Sequence, residues 1–179
     1  MIDSQSGGGV DLAAGLVESW AVNECMNQTV LEHLDPAAWR ATFGKVRSIA
    51  AIVTHMHNVR RKWLRLSAPH IKLPAAIDRA RCTREQAIAA LAESANGCAG
   101  MIADALADSA SGAPGRVRSF VRDGWARPWA AGAEMVAYMI AHEAHHRGQI
   151  CMLAHQLGLP LSAKATSGMW AWERLSRGD

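Results

Sequence analysis

Apolar residues recur at helical spacing in four stretches of the chain. The first runs from about Val10 to Leu34. Leu12, Leu16, Ser19, Asn23, Met26 and Val30 share one stripe, Trp20 borders it, and Asp35-Pro36 closes it, since the residue before a proline leaves the helical region. The second, Lys45 to Ser67, turns Ile49, Ile52, Met56, Val59, Trp63 and Leu66 inward. His55 shares that face, three after Ile52 and four before Val59, whereas His57 lies with Arg60 and Arg61 on the other side. The third opens at Thr83, where Gln86 completes a capping box, and reaches Leu106 through Ile88, Leu91, Ala95, Cys98 and Ile102. The fourth, Met135 to Leu159, is apolar at Met135, Tyr138, Met139, Met152 and Leu153; Gly158 supplies a left-handed cap and Pro160 bars continuation.

These stretches predict an all-α four-helix bundle in one domain, residues 10–179, preceded by a flexible leader over residues 1–9. A connector holding Pro69 and Pro74 separates the second and third helices. Ser109 to Gly115 is the clearest break, and it opens a long loop before the last long helix. Val117, Phe120 and Val121 briefly alternate there before Asp123-Gly124, which predicts a short extended piece. Trp125 and Trp129 predict order in that loop, since indoles seek burial. Met169, Trp170, Trp172 and Leu175 predict a short C-terminal helix that docks on the bundle or meets a partner subunit.

Composition narrows the class further. Half of the 179 residues are hydrophobic, while β-branched and aromatic runs are scarce, so helix is the default. A net charge of +3 is too mild to imply a nucleic-acid partner. Cys25, Cys82, Cys98 and Cys151 form no CxxC pair and read as reduced, mostly buried thiols. No apolar run reaches eighteen residues and the N-terminus lacks signal-peptide character, so a cytoplasmic protein without a membrane partner is expected.

The fourth stretch carries the chemistry. His142, His145, His146 and Gln149 occupy the middle of an apolar face, where an unpartnered nitrogen costs about 1–3 kcal/mol. Four residues apart on a helix, His142 and His146 converge on one side, and His55 is the candidate third ligand from the second helix. Imidazoles suit zinc, nickel or iron rather than magnesium or calcium. Three such ligands leave a position open, the pattern of a catalytic site. Whether His145 or His57 adds to the set stays open. Asn23, a poor ligand for such metals, is expected to hydrogen-bond to a neighbouring helix. Arg116, Arg118, Arg122 and Arg127 give the long loop a basic rim, with Arg118, Arg122 and Arg127 as candidates for holding an anionic cofactor. His142, Glu143 and His146 also fit H-E-x-x-H, in which the glutamate is the base of a metallopeptidase, so Glu143 is the candidate base.

The Trp20 to Asn23 pairing, the His55 helix ending near Trp63, and the run HEAHHRGQI at His142 to Ile150 followed by LGLPL resemble the DinB-like (damage-inducible) bundle proteins. The strongest motif is H-x-x-x-H-R-G-Q, and the resemblance covers nearly the whole chain. It implies a four-helix bundle, often a homodimer, with nickel, zinc or another divalent ion on His55, His142 and His146. Some relatives are S-transferases using a low-molecular-weight thiol such as bacillithiol or mycothiol, others are metal-dependent isomerases or hydrolases, and many have no known activity. The expected function is therefore a metal-dependent enzyme acting on a small molecule, with a non-catalytic metal-binding stress protein and an H-E-x-x-H peptidase as alternatives. Within the motif, Gly148 is expected to permit close helix packing and Gln149 to support a ligand.

Overall fold

The computed structural model describes residues 11–107, 116–122 and 127–177. Four long helices dominate it: α1 (Leu12–Glu32), α2 (Ile49–Ser67), α3 (Arg84–Leu106) and α4 (Ala133–Gln156). Two short helices follow, α5 (Ala163–Gly168) and α6 (Trp172–Leu175). Between α3 and α4, strand β1 (Ser119–Phe120) pairs antiparallel with β2 (Trp129–Ala130). The leader, Ser109 to Gly115, Asp123-Gly124 and Trp125 lie outside the described residues.

Helix starts follow local chemistry. Asp11, Ser48 and Thr83 each accept a hydrogen bond from a backbone N–H in the first turn, and Thr83 with Gln86 forms the expected reciprocal box. Because Ser48 is the cap, α2 begins at Ile49 rather than Lys45, which leaves Lys45, Val46 and Arg47 in the preceding connector. Gly158 has φ +75°, the left-handed conformation a glycine adopts without penalty, and it stops α4 as expected.

Around the bundle, α1 packs on α3 and α4, and α2 packs on the same two, so α1 and α2 face each other across the core. One half of that core gathers Val22, Met26, Val30, Ile49, Val53, Leu91 and Ile150. The other gathers Trp20, Trp63, Met101, Phe120, Met135 and Met139. Met169 and Leu175 dock the tail on the first half, whereas Trp170 and Trp172 stay exposed.

The inward faces of α2 and α4 also differ from expectation. His57 and Arg60 are fully buried, because the far side of α2 faces α3: His57 Nδ1 lies 3.1 Å from Ser94 Oγ, and its Nε2 lies 2.8 Å from the Ala75 carbonyl. On α4 the buried line is Met135, Met139, Glu143, His146, Ile150 and Leu153, so Glu143 stands at its centre. Met152 is exposed, as are His145 and Gln149. Gly148 packs against nothing: a Cβ there would meet no atom within 4 Å, so the residue opens space instead of closing a helix contact.

Candidate metal centre

The sequence H-E-x-x-H-R places two i,i+4 pairs on adjacent faces of α4, and each pair has its own surroundings. Glu143 and Arg147 turn toward α1 and α2. Arg60 donates from Nε to Glu143 Oε1 and from Nη2 to Glu143 Oε2 at 2.6 Å, and Nη2 also reaches Glu24 Oε2 at 2.6 Å. Its Nη1 donates to the Leu91 carbonyl at 2.8 Å. Asn23 and Asn27 each donate to Glu143 Oε2 at 2.7 Å and each accept from Arg147 Nη1, at 2.9 and 2.8 Å. Asn23 is thus the hydrogen-bonded partner its position in α1 suggested.

Burial alone would raise the Glu143 pKa, but the Arg60 charge and the hydrogen bonds from Arg60, Asn23 and Asn27 overcome it and hold the carboxyl below its usual range. Burial would likewise lower that of Arg60, and Glu143 and Glu24 reverse the direction. The cluster is a fully desolvated ion pair with every strong acceptor occupied. Glu143 is therefore placed as a strut that ties α4 to α1 and α2, not as a base facing a substrate. The geometry gives the peptidase reading no exposed carboxylate at Glu143.

His142 and His146 occupy the next face and meet His55 from α2. One ligand nitrogen from each ring can be chosen so that all three lie within 4.8 Å of one another. Ring centroids are 4.8 Å apart for His55 and His146, 4.6 Å for His142 and His146, and 5.7 Å for His55 and His142. His145 stays outside this group, with its Nε2 3.0 Å from Gln149 Nε2, and His57 is committed to α3 and the connector. The side-chain carbonyl of Gln149 accepts from His146 Nδ1 at 2.8 Å, which fixes the tautomer that leaves Nε2 with a free lone pair.

These residues fit a divalent transition ion. His142 Nδ1 is buried without a hydrogen-bond partner, and one nitrogen from each of the three imidazoles lies within 4.8 Å of the other two. Burial lowers the pKa of all three, helped for His55 by His146, Arg47 and Lys62, and His142 falls to about 4. Neutral imidazole is the form that ligates.

The lowered values set a pH dependence for the metal-free protein. The unfolded chain takes up a proton at His142 near the ordinary 6.5, while the folded chain refuses it until about 4. Stability is complete above 6.5 and falls across that window. Melting temperature should decline from pH 7 to pH 5, and less steeply in His142→Gln; equal slopes would contradict this.

On one side the site is walled by rings. Trp63 and Tyr138 pack on His142 with centroids 5.4 and 6.2 Å away, and Phe120 and Trp129 complete the cluster. The Arg122 guanidinium stacks on Tyr138 at 4.8 Å and on Trp129 at 5.2 Å, while Arg118 and Arg127 are exposed. On the other side a cleft of about 940 Å³ opens at His146, lined by Lys45, Arg47, Ile52, Gln149, Met152 and Leu153 among others. None of the three loop arginines lines it. The basic groups beside the histidines come instead from the connector before α2, which carried no recognisable motif.

A four-helix bundle whose facing helices bring three histidines together defines a metalloprotein-like core. Residues 4–171 match the DinB family, and the chain belongs to that family. No curated relative matches the sequence.

Proposed function

We propose that the chain is a metal-dependent enzyme acting on a small molecule, with His55, His142 and His146 as the ligands of one zinc, nickel or iron ion. The observation that carries this reading is the convergence of the three rings at the mouth of an open cleft. A structural site would be closed by a fourth protein ligand, and no fourth His, Cys, Asp or Glu joins the group among the described residues. Bound there, a divalent ion lowers the pKa of a water or thiol and acts as a Lewis acid.

The chain's own residues supply the rest. Gln149 holds the His146 ring in its ligating tautomer. The Glu143–Arg60 pair fixes the rotation of α4, and the Trp63, Phe120, Trp129 and Tyr138 rings keep water from the His142 side. Substrate then enters from the His146 side. Family membership favours thiol S-transfer, with hydrolysis or isomerisation as related uses of the same site.

The test is consumption of bacillithiol or mycothiol with an electrophile such as 1-chloro-2,4-dinitrobenzene. Turnover should be lost on chelation, return when metal is added back, and disappear in His146→Ala. Full turnover in that variant, or in chelated protein, would refute the reading.

A further inference from the structure

The cleft at His146 is electrostatically one-sided. Its lining carries Lys45 and Arg47 with the exposed His145 and contains no Asp or Glu. Neither Lys45 nor Arg47 makes an ion pair or side-chain hydrogen bond within the described residues, so both ammonium and guanidinium donors face solvent. Arg60, Arg81, Arg84 and Arg147 are by contrast committed, to Glu143 and Glu24, to Asp78, to Glu85 and to the two asparagines respectively. The field of Arg47 reaches both His55 and His146.

Beside these charges the cleft has an apolar floor. Val46 and Met152 are exposed at 53% and 60%, and Ile52 and Leu153 lie beneath them. Gly148 keeps the α4 side of the cleft open, since a Cβ there would project into unfilled space. Two cations, an apolar patch and no carboxylate form a surface complementary to an amphiphilic anion. A lone phosphate would use the charges and leave the patch wet, whereas an organic acid uses both.

We propose that this cleft binds a small organic acid, its carboxylate on Lys45 and Arg47 and its apolar body on Val46, Ile52, Met152 and Leu153. The assignment rests on the metal-centre reading for its role as substrate recognition, and it places the anion-binding groups on the α2 connector instead of the loop before α4. Charge-assisted contacts of this kind are worth about tenfold in affinity each.

Calorimetric titration of the full-length chain, zinc-loaded and metal-free, with hexanoate, hexylamine, hexanol and inorganic phosphate tests the proposal. Hexanoate should bind in preference to the other three. Arg47→Gln and Lys45→Gln should each weaken it roughly tenfold. Arg118→Gln should leave it unchanged. Hexanoate binding that survives the Lys45→Gln/Arg47→Gln double variant, or that hexanol or phosphate matches, would overturn the assignment, as would no hexanoate binding at all. Zinc content measured on the same samples separates the two readings. One zinc per chain without charge-dependent hexanoate binding defeats the cleft alone. Charge-dependent binding to a chain that takes up no zinc defeats the metal centre and leaves the cleft assignment standing.

Discussion

Arg60→Met should destabilise the protein by about 3–5 kcal/mol, because it strips the cation from a carboxylate that no water can reach. Glu143 is fully buried, and its remaining donors would be the two asparagine amides, which are neutral. A domain is held folded by only about 5–15 kcal/mol, so the loss is about a fifth of the total or more. For a chain of this length the melting temperature should fall by roughly 6–20 °C. The double variant Arg60→Met/Glu143→Leu should be much closer to wild type than the sum of the two single changes, since neither charge is then left alone. Thermal and urea unfolding of the three variants form a double-mutant cycle. Additive effects, or a single-variant cost under about 1 kcal/mol, would show that the pair does not hold α4 in place. Glu143→Gln adds a further discriminator. A strut loses stability when its charge is removed and a catalytic base does not, so lowered melting with metal content retained supports the assignment made from the geometry.

His55→Ala should cost the protein its metal. What remains is an i,i+4 pair on one helix, and loss of a direct ligand should weaken binding by more than the ~10–100-fold attached to a supporting residue such as Gln149. Untagged wild-type protein purified without added ions should carry close to one ion per chain, and the variant almost none after dialysis. Stability provides an independent readout. An ion that binds only the folded chain at a hundred times its dissociation constant adds about 2.7 kcal/mol, so zinc should raise the wild-type melting temperature and leave His55→Ala unmoved. Equal metal content in the two proteins, or no thermal response in wild type, would remove the centre from the account.

The motif H-E-x-x-H-R-G-Q was legible, but its division of labour was not. Spacing alone shows that His142 and His146 share a face and that Glu143 and Arg147 share the next one. Either face could have pointed to the metal, to the core or to solvent. Apolar periodicity sets His142, His145, His146 and Gln149 on one inward face with Tyr138 and Met152; Tyr138 and His146 do lie inward, but His145 and Gln149 are exposed, Met152 is 60% exposed, and the buried line also runs through Glu143. His57 and Arg60 do lie on the side of α2 away from His55, but that side packs on α3, and a single apolar stripe does not reveal that a second face is buried.

Helix positions, the capping box at Thr83, the stop at Gly158 and the i,i+4 pair of His142 and His146 all follow from local order along the chain, because caps and i,i+4 neighbours are set within a turn or two, whereas His55 joins that pair only through the packing of α2 on α4. Which cation faces which carboxylate is a matter of residues far apart in the chain, 83 positions for Arg60 and Glu143, and no local rule reaches that far. Packing of α1 and α2 across the core gave Glu143 its partners and so took it away from the three histidines. The same packing put Lys45 and Arg47, two unremarkable connector residues, at the mouth of the cleft.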